Sequence, residues 1–110
     1  MKITEQVIKD NIYDLFITTL LYFPCLWRVT IPKVICRAFD IQEEHVVMTV
    51  QALSIWSEKE FKELGYVGVK LIDGLHHVFI TEEGKAYAKT IDNPLCIMIE
   101  REANEDKTVH

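Results

Sequence analysis

The chain has 110 residues, of which 49% are hydrophobic and 26% charged, and a formal net charge of −5. That length holds one hydrophobic core, and the composition is that of a globular domain rather than a disordered chain. The acidic balance excludes a generic polybasic binder of nucleic acid or membrane.

Thr4 or Asp10 can cap a first helix. Along it Ile8, Ile12, Leu15, Phe16, Leu20 and Phe23 recur at helical spacing until Pro24 stops the run. The uncharged stretch from Leu15 to Trp27 is shorter than the ~20 apolar residues of a membrane span. Glu5, Asp10 and Asp14 precede it, where a secretory leader has basic residues. A core helix is expected, in a cytoplasmic protein with no membrane partner.

The β-prone "LWRVT" is expected to form a short strand ending at Thr30, which caps a helix of about two turns with Pro32 in its first turn. Asp40 suits the turn that follows, because it tolerates an unusual turn conformation. Asp40 and Glu43 also have the spacing of a capping box. A third, long helix is expected from about Ile41 to Leu64 as one continuous rod, ended by Gly65.

Asp73-Gly74 between β-rich runs is a two-residue hairpin signal. Counting outward from it pairs Ile72 with Leu75, Leu71 with His76, Lys70 with His77, Val69 with Val78 and Val67 with Ile80. Val67, Val69, Val78 and Ile80 then share the face toward the core, and Lys70 and His77 stand on the other. Thr81 caps a short helix through "EEGKAYAKTI". Asp92 or Asn93 caps a last one that has Pro94 at its start. The domain is expected to span residues 1–103, with a polar, frayed tail over 104–110.

Cys25, Cys36 and Cys96 have apolar neighbours and form no CxxC pair, so they read as buried, reduced thiols rather than zinc or redox ligands. His76 and His77 are adjacent on a strand and point to opposite faces, so they cannot share a metal ion. There is no Gly-rich phosphate loop, nucleophile elbow or H-E-x-x-H. The chain therefore reads as non-enzymatic, with no metal and no cofactor. Trp27 and Trp56 read as core or interface aromatics.

A short helix, a tight turn, a longer helix and then a hairpin is the winged helix-turn-helix layout. The expected fold is α+β, with a three-helix core, a hairpin wing and an extra C-terminal helix or helices. Residues 61–89, "FKELGYVGVKLIDGLHHVFITEEGKAYAK", resemble the helix end, wing and following helix of MarR-like and PadR-like regulators, through Leu64-Gly65-Tyr66-Val67 and Ile80-Thr81-Glu82-Glu83-Gly84. Residues 15–41 are faintly similar to CaiF/GrlA-type activators of enteric bacteria, at Trp27 and Ala38-Phe39-Asp40-Ile41. The superfamily resemblance covers residues 10–91. It implies a transcription regulator that binds DNA, usually as a dimer, with the helix from Ile41 in the major groove and the hairpin near the adjacent backbone. Asp40 stands where many members carry glycine.

Phosphate is neutralised by Lys and Arg, yet the long helix opens with two glutamates and has no Lys or Arg before Lys59. With Val46, Val50, Leu53 and Leu64 facing the core, its other face presents Glu44, Val47, Met48, Gln51, Ala52 and Ile55. Candidate DNA contacts are Arg28, Lys33, Arg37, Lys70 and His77 at phosphate, with Thr49 and Gln51 near bases. The stripe Val47, Met48, Ala52 and Ile55 gives the helix a second apolar face, suited to another copy or a different protein. The alternative reading follows from it: a winged-helix interaction module, such as a regulatory subunit or a phage- or plasmid-encoded inhibitor, that does not bind DNA.

Overall fold

The computed structural model describes residues 4–108, and side chains through residue 105. The described chain runs α1 (Glu5–Asp10), α2 (Ile12–Tyr22), β1 (Cys25–Trp27), α3 (Thr30–Ala38), α4 (Glu44–Glu63), β2 (Val67–Ile72), β3 (Leu75–Ile80), α5 (Glu82–Lys89) and α6 (Cys96–Thr108). It is an α+β fold of six helices and one three-stranded antiparallel sheet of order β1-β3-β2.

Where apolar spacing predicts one N-terminal helix, there are two. Thr4 caps α1 by accepting from Val7 N. The chain breaks at Asn11 (φ −120°), whose side-chain amide donates to Val7 O at 2.7 Å. The break leaves the helical phase intact, so Ile8, Ile12, Leu15, Phe16 and Leu20 all remain buried. Such a break is invisible to a periodicity argument. Thr30 is also not a cap: α3 begins with it, and the N-cap position is Val29.

The turn after α3 is a Schellman motif. Asp40 adopts φ +54°, its N–H donates to Arg37 O at 3.1 Å, and Ile41 N–H donates to Cys36 O at 2.9 Å. This closure carries the chain past Ile41 before the next helix can start. The expected start at Ile41 is therefore corrected to Glu44. The Asp40–Glu43 capping box does not form either: Glu43 is the N-cap and makes no side-chain cap bond. From Glu44 to Glu63 α4 is continuous. The same motif ends it, with Gly65 at φ +78°, Gly65 N–H on Lys62 O and Tyr66 N–H on Phe61 O.

The inner stripe of α4 is Val46, Val50, Ser54, Ser57 and Phe61. Leu53 is only half-buried, and Leu64, although it continues the spacing of that stripe, is 61% exposed because it is the C-cap, beyond the end of the helix. The two serines are tolerated inside because their hydroxyls donate to Val50 O (2.7 Å) and Leu53 O (3.1 Å). Phe61 anchors an aromatic cluster, with ring centroids 5.9–6.2 Å from Tyr13, Phe16, Tyr66 and Tyr87.

The hairpin register matches the count from Asp73-Gly74 at every pair. Val67, Val78 and Ile80 are buried and Val69 half-buried, as the two-residue period requires. β1 adds a third strand on β3, with Cys25 opposite Phe79 and Trp27 opposite His77. Thr81 caps α5 by accepting from Gly84 N at 3.0 Å, while its hydroxyl donates to Gly65 O at 2.7 Å. Helix α5 thereby packs so close to the α4–β2 corner that a Cβ at Gly84 would lie 2.0 Å from Tyr66 O.

Helix α6 starts after Asn93, whose Oδ1 accepts from Leu95 N at 3.0 Å. It continues to Thr108, through the residues expected to form a frayed tail beyond 103. Ile99 and Ala103 are buried, and the helix lies against α2 and α3. Among the described residues no helix is long and apolar enough to cross a membrane.

The cysteine expectation is corrected and the tryptophan one narrowed. Cys25 is exposed, because it lies on a short edge strand; only Cys36 is buried and Cys96 is intermediate, all three being free thiols. Trp27 and Trp56, expected as core or interface aromatics, are both exposed, which excludes only the core alternative.

Gly84→Ala is expected to destabilise the fold by about 1–3 kcal/mol, since backbone rather than a flexible side chain must yield. The measurement is the urea midpoint, and an unchanged midpoint would show that the α5 contact is loose. Burial pushes the Cys36 thiol up to about 11 and also raises Cys96. An unfolded thiol ionises near ~8.5, so above that pH the unfolded chain releases protons that the native chain retains. Thiol-linked stability is therefore complete below the unfolded value and falls as pH rises toward 11. Cys36→Ala should flatten the pH 9–11 limb of a plot of thermal midpoint against pH, leaving the remainder to Cys96, Tyr13, Tyr22 and Tyr87, which are also raised by burial.

Candidate functional site

The basic residues singled out from the sequence lie on α3, its flanks and the hairpin. Arg28 follows β1, and its backbone N–H donates to His76 O at 2.9 Å, prolonging the ladder. Its guanidinium makes a bidentate ion pair with Glu58 of α4: Nε to Oε1 and Nη2 to Oε2, both 2.8 Å. The hydrogen bond to Glu58 raises the Arg28 pKa further, with burial opposing it. Arg37, in the last turn of α3, donates from Nε to Glu102 Oε1 of α6. Both guanidiniums suggested for phosphate therefore already hold a carboxylate.

Lys33 lies one turn before Arg37, is exposed, and makes no ion pair among the described residues. Lys33 and Arg37 together line a surface pocket of about 240 Å³ with Asp40, Gln42 and Val47, at the mouth of the α3–α4 turn. The Schellman closure ties Asp40 and Ile41 to the end of α3, and the irregular residues that follow, up to the start of α4 at Glu44, contribute Gln42 to the lining.

On the hairpin, Lys70 and His77 are register partners. Lys70 Nζ lies 5.5 Å from the Phe79 ring centroid, and His77 Nδ1 lies 3.0 Å from Leu75 O. Phe79 has no role in the sequence pattern. Its ring lies over Gly68, where a Cβ would meet it at 2.4 Å, and so it can support the Lys70 ammonium. A glycine opposite an aromatic residue in the predicted register was the available signal.

Along α4 the outward residues are Met48 (62% exposed), Gln51, Ala52, Ile55 (54%) and Trp56 (61%). Val47 leaves the expected stripe: it is half-buried and packs on the core. Thr49 donates its hydroxyl to His45 O at 3.0 Å, so Gln51 is the less committed of the two base-reading candidates. For Trp56, exposure removes the core alternative and leaves the interface one; Lys59 Nζ sits 5.7 Å from its ring centroid. The hairpin end is apolar too, with Leu71, Ile72 and Leu75 exposed around Asp73.

Among the described residues no group of three or more His, Cys, Asp or Glu is placed to hold a metal ion. His76 and His77 stand opposite Leu71 and Lys70 respectively, so their imidazoles occupy different faces of β3. The comparisons with known proteins found no family model, curated protein or solved structure that matches this chain.

The Arg28–Glu58 pair clamps the end of β1 to the C-terminal half of α4. Arg28 is more than a third exposed, so the pair is worth only about 1 kcal/mol despite its bidentate geometry. A double-mutant cycle with Arg28→Ala and Glu58→Ala, read by urea unfolding, should return a coupling of that order that shrinks in high salt. Additive single-variant losses would show that the clamp contributes nothing.

Proposed function

We propose that this chain is a non-enzymatic winged helix-turn-helix transcription regulator that binds duplex DNA, as a dimer. The observation that carries the proposal is the continuity of the central elements. Helix α3 passes through a left-handed turn at Asp40 into the single 20-residue α4, which passes through Gly65 directly into a hairpin of matched six-residue strands. In that layout the second of the two helices enters the major groove, the first crosses the backbone, and the hairpin flanks them.

Lys33 and Lys70 are the cations open to phosphate in this arrangement, and Gln51 is the outward amide able to pair with adenine. Two phosphate contacts per chain give a salt slope of roughly −1.8 in log K against log salt, and a dimer on a two-fold site would double it. Dimerisation therefore matters more to this chain than to a strongly basic regulator.

A second reading has its own observation. Met48, Ile55 and Trp56 are large apolar side chains exposed on one helix, and they suit a protein partner, with no role for DNA. Salt separates the two. Binding to a mixed-sequence duplex should be measurable at 50 mM salt and fall steeply by 200 mM, with Lys33→Glu weakening it about tenfold or more at low salt. An apolar docking face responds little to salt. No retention of duplex by wild-type protein at 50 mM salt, with its mass in solution measured alongside, would overturn the DNA proposal in favour of the protein-docking one.

A further inference from the structure

Both guanidiniums that the helix-turn-helix layout would direct at phosphate are occupied from within the chain, but the two pairs are built differently. Arg28 is 39% exposed and meets both oxygens of Glu58. A phosphate would have to break two charge-assisted bonds at once to take this guanidinium, so this pair stays closed. Arg37 is 56% exposed and meets Glu102 through Nε alone, so its terminal Nη groups are left to solvent. Lys33 lies beside it on the same pocket. Glu102 is delivered by α6, the last element, which is anchored on α2 and α3 through Ile99 and Ala103.

We infer that Glu102 is an internal competitor for phosphate, holding Arg37 in an autoinhibitory ion pair that a nucleic-acid backbone must displace before the Lys33–Arg37 face is fully engaged. The inference rests on the DNA-binding proposal and adds to it a regulatory role for α6. The competing groups are chemically equivalent, since carboxylate and phosphate both accept charge-assisted bonds from the guanidinium. The exposed terminal nitrogens let a phosphate approach before Glu102 has left. Modification or partner binding that moves α6 would then raise affinity without touching the DNA-facing helices.

The test compares Glu102→Gln with Glu100→Gln, which makes the same charge change two residues away, on a different face of α6. Duplex binding is measured across a salt series with the full chain, after thermal midpoints confirm that both variants are folded. Glu102→Gln should raise affinity about three- to tenfold at low salt and steepen the salt slope by roughly 0.9, the increment for one added phosphate contact. Glu100→Gln should change affinity less than about twofold, and adding Arg37→Ala to Glu102→Gln should remove the gain. Equal effects of the two Gln variants, or an unchanged slope, would overturn the competitor role while leaving intact a wild-type binding that depends on Lys33. Absence of duplex binding by every variant at low salt would overturn both proposals together.

Discussion

Two residues in left-handed backbone conformation, Asp40 and Gly65, set the limits of α4, and the rest of the architecture depends on those limits. Each closes the helix before it by the same pair of hydrogen bonds, which turns the chain sharply and satisfies carbonyls that would otherwise be orphaned. Between them α4 is long enough to bury Val46 and Val50 at one end and Phe61 at the other. Its far end hands the chain to β2 in the phase that buries Val67. The register of the hairpin then follows from Asp73-Gly74, and β1 is added to its outer edge.

Glycine bears the left-handed conformation freely at position 65, whereas Asp40 does so at some cost in strain. Its place in the turn leaves a carboxylate beside Lys33 and Arg37, at a notch that would otherwise be more positive. Glu58 and Glu102 act in the same direction on Arg28 and Arg37. The acidity of the chain is thus organised around its basic residues. Of the residues proposed for phosphate, Lys33, Lys70 and His77 make no ion pair among the described residues.

The apolar surface follows another logic. Met48, Ile55 and Trp56 are outward because the inner stripe of α4 is shared with two serines that bond to their own helix. A pattern based on hydrophobicity places apolar residues inward and serines outward, and here each assignment fails for some positions. Leu64 has the spacing of the inner stripe but lies past the end of the helix, and Phe61, the centre of the aromatic cluster, has no role in that pattern. Periodicity reports how many faces a helix has; which face is buried depends on what packs against it.

The sequence by itself determined what is decided by neighbours along the chain: the hairpin and every pair of its register, the Thr81 cap, the left-handed turn at Asp40 and the stop at Gly65. Turn chemistry and the two-residue strand period act over a few bonds, so a local reading suffices. Only the tertiary structure decided the charge state of the candidate site, because Glu58 and Glu102 lie 30 and 65 residues from the arginines they hold. It also decided the exposure of Cys25 and of both tryptophans. Each of these depends on which surfaces meet, and a linear pattern of residue types does not contain that information.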